Sequence, residues 1–175
     1  RAQRVNGGRF LTYALGPLLP GQRQVMLPTA MIEIAGDRGV GEVRAVVVQR
    51  YRSVEAGQGV TWVDSLLPRP DQFPFAVEFG KATEVALIVD QPVIAQMGSY
   101  VILSSSTRDG FVTGDQVTLL ASLGAGAAGE ARAPEVAAVV QVLRVTRYGA
   151  SAVILRRTQA PIAVGMRGRI TAKMP

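Results

Sequence analysis

Short runs of β-branched and aliphatic residues, each ended by Gly or Pro, follow one another along almost the whole sequence. The 175 residues include 19 Gly and 10 Pro, and no window carries an apolar stripe at helical spacing between capping residues. Runs of strand length separated by turn residues are typical of an all-β protein. We predict strands at Arg9–Leu15, Gln24–Leu27, Ala30–Ile34, Val43–Arg52, Thr61–Val63, Phe75–Phe79, Glu84–Val89, Tyr100–Ser104, Gln116–Ser122, Val136–Thr146, Ser151–Gln159 and Arg167–Ala172.

Four blocks near the start of the chain recur near its end, in the same order and at nearly one offset. They are Gly7–Tyr13 with Gly114–Leu120, Pro28 with Pro134, Gly41–Arg50 with Tyr148–Arg157, and Gly57 with Gly165, at offsets of 106 to 108 residues. This pattern favours an internal duplication. The alternative is two unrelated β segments that share strand composition.

We therefore predict an all-β protein with two tandem, internally duplicated small β-barrel-like units joined by a Pro-rich connector. Closing short curved strands into a barrel removes their exposed edges. The units are 1–64 for the first, 65–98 for a connector with one β-hairpin, and 99–175 for the second, which carries the basic C-terminal segment. Leu66–Phe75 has three prolines in ten residues, which indicates a stiff connector. Leu123–Pro134 has the composition of a flexible hairpin loop.

The two copies differ in what precedes them. A full strand at Tyr100–Ser104 comes before Gly114, whereas only six residues come before Gly7. Either Phe75–Val89 completes the first barrel, or the 175 residues are part of a longer protein. We favour the second explanation, and a lost export signal is compatible with a chain that opens on Arg1.

Composition removes most catalytic chemistry. The chain has no Cys and no His, so thiolates, disulfides, imidazole bases and imidazole metal ligands are excluded. Asp109 and Asp115 flank "GFVTG" and suggest a carboxylate pair or a cation site, but turn preferences explain both. Ser104–Ser106 lacks a His partner for a nucleophilic triad. We predict that the protein is not an enzyme and has no catalytic residues, cofactor or metal.

The charge is concentrated at the C-terminal end. The net charge is +6, and no acidic residue follows Glu135. Such a segment attracts an acidic protein surface or anionic membrane headgroups, although a solvated strand face is the alternative. The predicted partner-binding residues are the arginines Arg144, Arg147, Arg156, Arg157, Arg167 and Arg169, with the aromatic residues Trp62, Phe73 and Phe75. Aromatic side chains often anchor interfaces; here the alternative is that they fill the junction between the units.

A resemblance to a known protein family runs through almost the whole chain. It is carried by "GGRFLTYALGPLLPGQRQVMLPTAMIEIAG", the Gly57-Gln58-Gly59 turn, "GSYVILSSSTRDGFVTGDQVTLL" and "VVQVLRVTRYGASAVILRRTQAPIAVGMRGRITAKMP". These segments resemble the β-rich C-terminal region of exported bacterial proteins that begin with a LysM domain. Gly114-Asp115 with "AVVQV" and "SAVIL" is similar, more weakly, to the small C-terminal barrel of a flagellar T-ring-associated protein, which is a structural part.

The resemblance implies an envelope-facing, non-catalytic role. LysM domains bind the glycan backbone of peptidoglycan, but this sequence has no recognisable LysM motif, so peptidoglycan binding transfers to no residue here. We expect a periplasmic, membrane-peripheral scaffold that is an accessory or stabilising subunit of a larger membrane-associated complex. The alternative is a nucleic-acid-binding small barrel that uses the basic C-terminal face. The thin spread of the ten aromatic residues disfavours that alternative.

Overall fold

The computed structural model of the protein describes residues 8–21, 23–39, 42–63, 72–78, 80–90, 94–121 and 133–175. These residues form strands and turns, with a single 3-10 turn at Thr107–Asp109, so the all-β prediction is confirmed. The chain divides into two compact units, Arg1–Ser65 and Leu66–Pro175. The strands are β1 (Arg9–Leu19), β2 (Arg23–Gly39), β3 (Glu42–Arg50), β4 (Gly59–Trp62), β5 (Phe75–Ala76), β6 (Ala82–Ile88), β7 (Tyr100–Leu103), β8 (Gln116–Ala121), β9 (Glu135–Thr146), β10 (Gly149–Arg157) and β11 (Arg167–Lys173).

The first unit is an antiparallel sheet of four strands in the order β3-β2-β1-β4. A barrel-like unit was predicted here, but no strand in the described part of the chain pairs with the outer edge of β3 or of β4. The described strands of the first unit therefore form an open sheet. Gln24–Leu27 and Ala30–Ile34, predicted as separate strands, lie in the single long strand β2, because a bulge at Thr29 keeps the ladder to β1 continuous past Pro28.

The second unit contains a closed barrel of six strands. The order is β11-β6-β7-β10-β9-β8, and β8 pairs again with β11 to complete the circle. Alternate residues of β8 and β10 are buried, as the two-residue period of a strand requires when one face meets a core. The core is made of aliphatic side chains such as Val101, Leu103, Leu119, Val140 and Ile154. Full burial of each such side chain contributes about 1.5–3 kcal/mol.

The segment predicted as a connector with a hairpin belongs in large part to the second unit. Strand β5 pairs with β11, and β6 pairs with β7 and β11. Strands β5 and β6 therefore do not form a hairpin with each other. Val85 and Ile88 on β6 pack into the barrel core, and buried Thr83 lies on the same face. Phe75–Val89 therefore does not complete the first unit. The prolines Pro68 and Pro70, and most of the predicted loop Leu123–Pro134, lie outside the described residues.

The strands β1–β4 pair in the same order and register as β8–β11, at offsets of 107 or 108 residues. Thr12 pairs with Ala30 in the sheet, and Leu119 pairs with Ala138 in the barrel. Three bulges coincide as well; the extra residues are Thr29, Ala35 and Val48 in the sheet and Ala137, Leu143 and Leu155 in the barrel. Since each bulge bends and twists its strand, matching bulges favour a similar curvature.

The pairing also corrects one detail of the sequence alignment. Pro28 lies opposite Tyr13, and the corresponding partner of Leu120 is Val136, two residues beyond Pro134. Gly57 and Gly165, which the sequence matched, both have a left-handed backbone, with φ of 87° and 83°. The turn before the last strand of each set is thus the same, and glycine suits it because it has no Cβ.

Candidate protein-binding surface

One face of the first sheet corresponds, position by position, to the barrel interior. We call it the open face. Its main side chains, given with their barrel counterparts, are Phe10 (Val117), Val43 (Ala150), Ala45 (Ala152), Val47 (Ile154), Val60 (Gly168) and Trp62 (Ile170). Because the registers agree, the side chains of the open face point in the direction that is inward in the barrel. The described strands, however, do not close the first sheet.

The open face is apolar and accessible. Val47 is 42% exposed, whereas its counterpart Ile154 is 1% exposed. Trp62 is 48% exposed, and its counterpart Ile170 is 2% exposed. Every residue of β3 is exposed. Large apolar side chains that are exposed together mark interaction surfaces more often than isolated ones do.

Two aromatic rings cover part of the open face. Phe10 on β1 and Trp62 on β4 are directly opposite in the ladder, and their ring centroids lie 4.4 Å apart at an interplanar angle of 38°. A tilted pair at this distance stabilises its own geometry. Trp62, a predicted binding residue, therefore has a fixed and accessible ring on this face.

A chain of hydrogen bonds fixes the centre of the first sheet. The hydroxyls of Thr12 and Thr29 are 2.8 Å apart, and Thr29 donates to Oε1 of Gln58 at 2.7 Å. The barrel has Leu119, Ala137 and Met166 at the corresponding positions. The first sheet thus uses polar contacts where the barrel uses apolar packing, and its geometry depends less on a closed core.

The other two predicted aromatic residues lie in the second unit. Phe73 and Phe75 are both exposed, and Phe75 is on the short strand β5, opposite Lys173 of β11. They are thus on a different unit from Trp62. The sequence alone assigned all three to one partner-binding set because they have the same residue type.

Three of the six predicted arginines share one side of the barrel. Arg169 pairs with Thr118, Thr118 with Val139, and Val139 with Arg156, so Arg156 and Arg169 end one row across four strands. Three strand spacings separate them, about 14 Å along the sheet. Arg167 lies two residues from Arg169 on β11, and all three side chains are exposed. We call these three residues the arginine row.

The remaining three arginines lie elsewhere on the β9–β10 hairpin. Arg144 pairs with Ser151, five residues before Arg156, or about 17 Å along the strand. Arg147, in the β9–β10 turn, lies over the ring of Tyr148 at 4.6 Å. Arg157 donates to the backbone oxygen of Ala95 at 3.1 Å. The basic C-terminal residues are therefore spread around the barrel and do not form one patch.

The two aspartates of the candidate carboxylate pair have structural roles. Asp115 is fully buried; Lys173 Nζ donates to it at 2.9 Å, and the amides of Val112 and Met174 donate at 3.0 Å. Asp109 accepts from the amide and hydroxyl of Ser106, and these hydrogen bonds lower the pKa of the Asp109 carboxyl. Each carboxylate thus holds a turn next to β8, as turn preference suggested.

The described residues contain no cluster of three or more His, Cys, Asp or Glu side chains that could hold a metal ion. A depression of about 200 Å³ is lined by Val77, Gly80, Lys81, Gly110, Ile170 and Lys173. The ammonium of Lys173 is already bound to Gly110 and Asp115. None of the residues that line the depression has a carboxylate side chain.

No protein family, curated protein or solved structure matches this chain. The fold itself therefore defines the class to which the protein can be assigned: an all-β protein with a closed six-stranded barrel and a second, open sheet. Among the described residues, no helix is long and apolar enough to cross a membrane.

Proposed function

We propose that the protein is a non-catalytic binding and scaffold module of the bacterial cell envelope, an accessory or stabilising subunit docked on a larger membrane-associated complex. The open face is the surface that contacts the partner protein. The envelope location rests on the resemblance to exported LysM-domain proteins, and peptidoglycan is contacted only by a LysM domain outside these 175 residues.

The observation that carries this proposal is the exposure of side chains whose barrel counterparts are buried. Val43, Val47 and Trp62 present apolar surface at positions that the second unit covers completely. Burial of apolar surface is the dominant favourable term in protein association. A partner seated on the open face gains that contribution at Val43, Val47 and Trp62, which are exposed.

The barrel supplies a rigid support and a second, charged contact. Its core is closed, and buried Asp115 ties the turn before β8 to the end of β11 through Lys173 and Met174. The arginine row, Arg156, Arg167 and Arg169, lies on its outer surface. Guanidinium groups bind carboxylates and phosphates bidentately, so this row suits an acidic protein surface or anionic headgroups.

We also infer that the first sheet and strands β8–β11 are copies of one ancestral unit. Identical strand order, identical register and three matching bulges support the inference. β-bulges are retained as designed features rather than defects. Unrelated sheets have no reason to place three of them at sequence offsets that differ by only one residue.

Nucleic-acid binding is not supported by the placement of the arginines. Single strands bind where bases stack on aromatic rings beside a basic groove. Between Arg156 and Arg169, the row is occupied by Val139 and Thr118. Arg147 has Tyr148 beside it, but in the hairpin turn and not in the row.

The test compares two substitutions on adjacent residues of β3. Val47 belongs to the open face, whereas Val46 points to the opposite face and is 50% exposed. In bacteria that produce the protein, Val47→Asp should reduce its retention on isolated envelope membranes about tenfold, the effect of losing one interface contact. Val46→Asp should leave retention unchanged. Wild-type retention of both variants would refute the open face as the partner surface.

The arginine row is tested separately by salt titration of the same membranes. The double variant Arg156→Glu, Arg169→Glu should dissociate at lower salt than the wild type, because exposed charge contacts are screened. The matched control is Arg147→Glu in the β9–β10 turn. An equal salt dependence of all three proteins would remove the arginine row from the interface.

A further inference from the structure

The barrel shows what covers the edges that correspond to the open edges of the first sheet. Strand β7 pairs with β10 at Ala150–Val153, and β6 pairs with β11 at Arg167–Arg169. Strands β6 and β7 also pair with each other. Two antiparallel strands thus bridge the outer strands of the four-stranded set and close the barrel.

The same two edges are open in the first sheet. By register, the counterparts of Ala150–Val153 are Val43–Val46 on β3, and those of Arg167–Arg169 are Gly59–Thr61 on β4. β3 and β4 are the end strands of the sheet, and no described strand pairs with their outer edges. An exposed edge with unpaired amides and carbonyls is a template for strand addition.

We propose that the first sheet binds a β-hairpin donated by a partner polypeptide, which closes it into a second six-stranded barrel. One arm pairs antiparallel with Val43–Val46 and the other with Gly59–Thr61, in the register of β7 and β6. This inference rests on the proposed function and specifies how the partner is recognised. The internal counterpart, not the openness of the edge alone, identifies a hairpin as the occupant.

The barrel also defines the chemistry of the donated hairpin. The inward residues of the bridging strands are Thr83, Val85 and Ile88 on β6 and Val101 and Leu103 on β7. A bulge at Ala86 places Leu87 opposite Ile102, on the outer face. The partner hairpin therefore has aliphatic or small residues at the five corresponding positions. Val43 and Val60 are larger than their counterparts Ala150 and Gly168. The partner residues that face them are accordingly smaller than Leu103 and Thr83.

A second copy of this chain is a poor donor. Its own β6 and β7 are built into its barrel, where Val85, Val101 and Leu103 are at most 1% exposed. Donating these strands would open that barrel and expose its core in exchange for an equivalent contact. A partner with a free hairpin bears no such cost, so it is the favoured donor.

The test uses the full 175-residue chain and two synthetic hairpin peptides. The first has the sequence of residues 82–103, and the second carries Thr83→Gly and Leu103→Ala to suit the larger side chains of the open face. At ten times its Kd, a bound peptide should slow exchange of the edge-facing amides of Val43–Val46 and Gly59–Thr61 about tenfold. Val47→Asp should abolish this protection. Gln49→Asp should preserve it, because Gln49 is exposed outside the paired edge and has the register position of outward-facing Arg156.

Three results would overturn the inference. The first is that neither peptide slows exchange at these amides. The second is that the amides are already slow in the free monomer, which would show that other residues of the chain close the sheet. The third is a dimer in sedimentation whose dissociation accelerates their exchange, which would identify a second copy as the occupant.

The two proposals can fail independently. If Val47→Asp lowers membrane retention while neither peptide binds, the partner uses the open face in another way and only the hairpin inference fails. If a peptide binds with the predicted protection while Val47→Asp is retained like the wild type, the first sheet accepts strands but the proposed envelope function fails.

Discussion

The first sheet and the barrel have the same four-strand plan and differ in what covers it. In the barrel, β6 and β7 cover the inward face of β8–β11, and Val101, Leu103 and Ile154 are buried together. In the first sheet, the face with the same register is exposed at Val43, Val47 and Trp62. Four strands are therefore enough to specify strand order and register, whereas a closed core needs two further strands.

The side chains of the two inward faces have adjusted to this difference. Gly168 lies in the filled barrel where Val60 lies on the open face, and Leu119 lies where the first sheet has Thr12 with its hydrogen bond to Thr29. A closed interior leaves no room for a branched side chain at one position and no reason for a hydroxyl at another. In the first sheet, Val60 is exposed, and the buried hydroxyl of Thr12 is hydrogen-bonded to Thr29 and to the backbone oxygen of Ala30.

The largest expected effect comes from deleting the same kind of contact at matched positions. Ile154→Ala should lower the free energy of unfolding of the barrel by about 2–5 kcal/mol, because it leaves a cavity in a packed core. Val47→Ala should cost less than about 1 kcal/mol in the first sheet, since Val47 is exposed. Amide exchange of β9 and β10 reports on the barrel, and urea unfolding monitored by the fluorescence of Trp62, the only Trp in the chain, reports on the first sheet.

An equal cost at the two positions would break the comparison. It would mean that Val47 is buried in solution and that something covers the open face. Val46→Ala, on the opposite face of β3, serves as the control for β propensity, since it makes the same chemical change on the same strand.

A second effect comes from exchanging residues between the two faces. Gly168→Val should destabilise the barrel by about 1–3 kcal/mol. Even a Cβ at Gly168 would lie 2.8 Å from Leu119 Cδ2 and 3.1 Å from the backbone oxygen of Thr118. Val60→Ala, at the matched position of the first sheet, should change stability by less than about 0.5 kcal/mol. Thermal unfolding followed by amide exchange measures the first, and Trp62 fluorescence measures the second.

The ordering within this pair is the sharper result. If Gly168→Ala costs an intermediate amount, crowding by added atoms explains the effect. If Gly168→Ala is as stable as the wild type while Gly168→Val unfolds the barrel, the neighbouring side chains can make room for one added carbon but not for three. The barrel interior at Gly168 would then be less tightly packed than its lack of a side chain indicates.

The sequence predicted most strands, because alternating apolar residues between Gly and Pro have a direct structural meaning. It also placed Gly57 and Gly165 in equivalent turns. It missed that β6 belongs to the closed barrel of the second unit, since strand-pairing partners far apart in sequence leave no local signal. It separated β2 at Pro28, because a bulge that carries a strand past a proline depends on the partner strand.

The candidate site was harder to predict than the fold. Trp62 was singled out by residue type, but Val43 and Val47 were not, because exposed valines look like core residues until the covering strands are located. The six arginines were grouped by sequence proximity, and the barrel distributes them over β9, β10, β11 and a turn. Charge composition fixes the amount of positive charge, whereas strand order fixes where it lies.

The smallest effect expected is a pH dependence confined to the barrel. Hydrogen bonds from Ser106 lower the pKa of Asp109 below its ordinary value of 3.8, so the folded barrel favours the ionised carboxylate. Its stabilising contribution is present above the unfolded pKa and is lost as pH falls through the folded pKa. Asp109→Asn should therefore cost less than about 1 kcal/mol at pH 6, as Asp109 is exposed. The variant has no carboxylate at this position to protonate. The difference in stability between it and the wild type should therefore shrink as the pH falls from the unfolded pKa of Asp109 toward its lower folded pKa. Amide exchange of β8 should record the difference, while the first sheet, monitored by Trp62, should show none. A constant difference at all pH values would assign the effect to lost hydrogen-bond geometry rather than to charge, and an equal response of Trp62 would show that the two units unfold together.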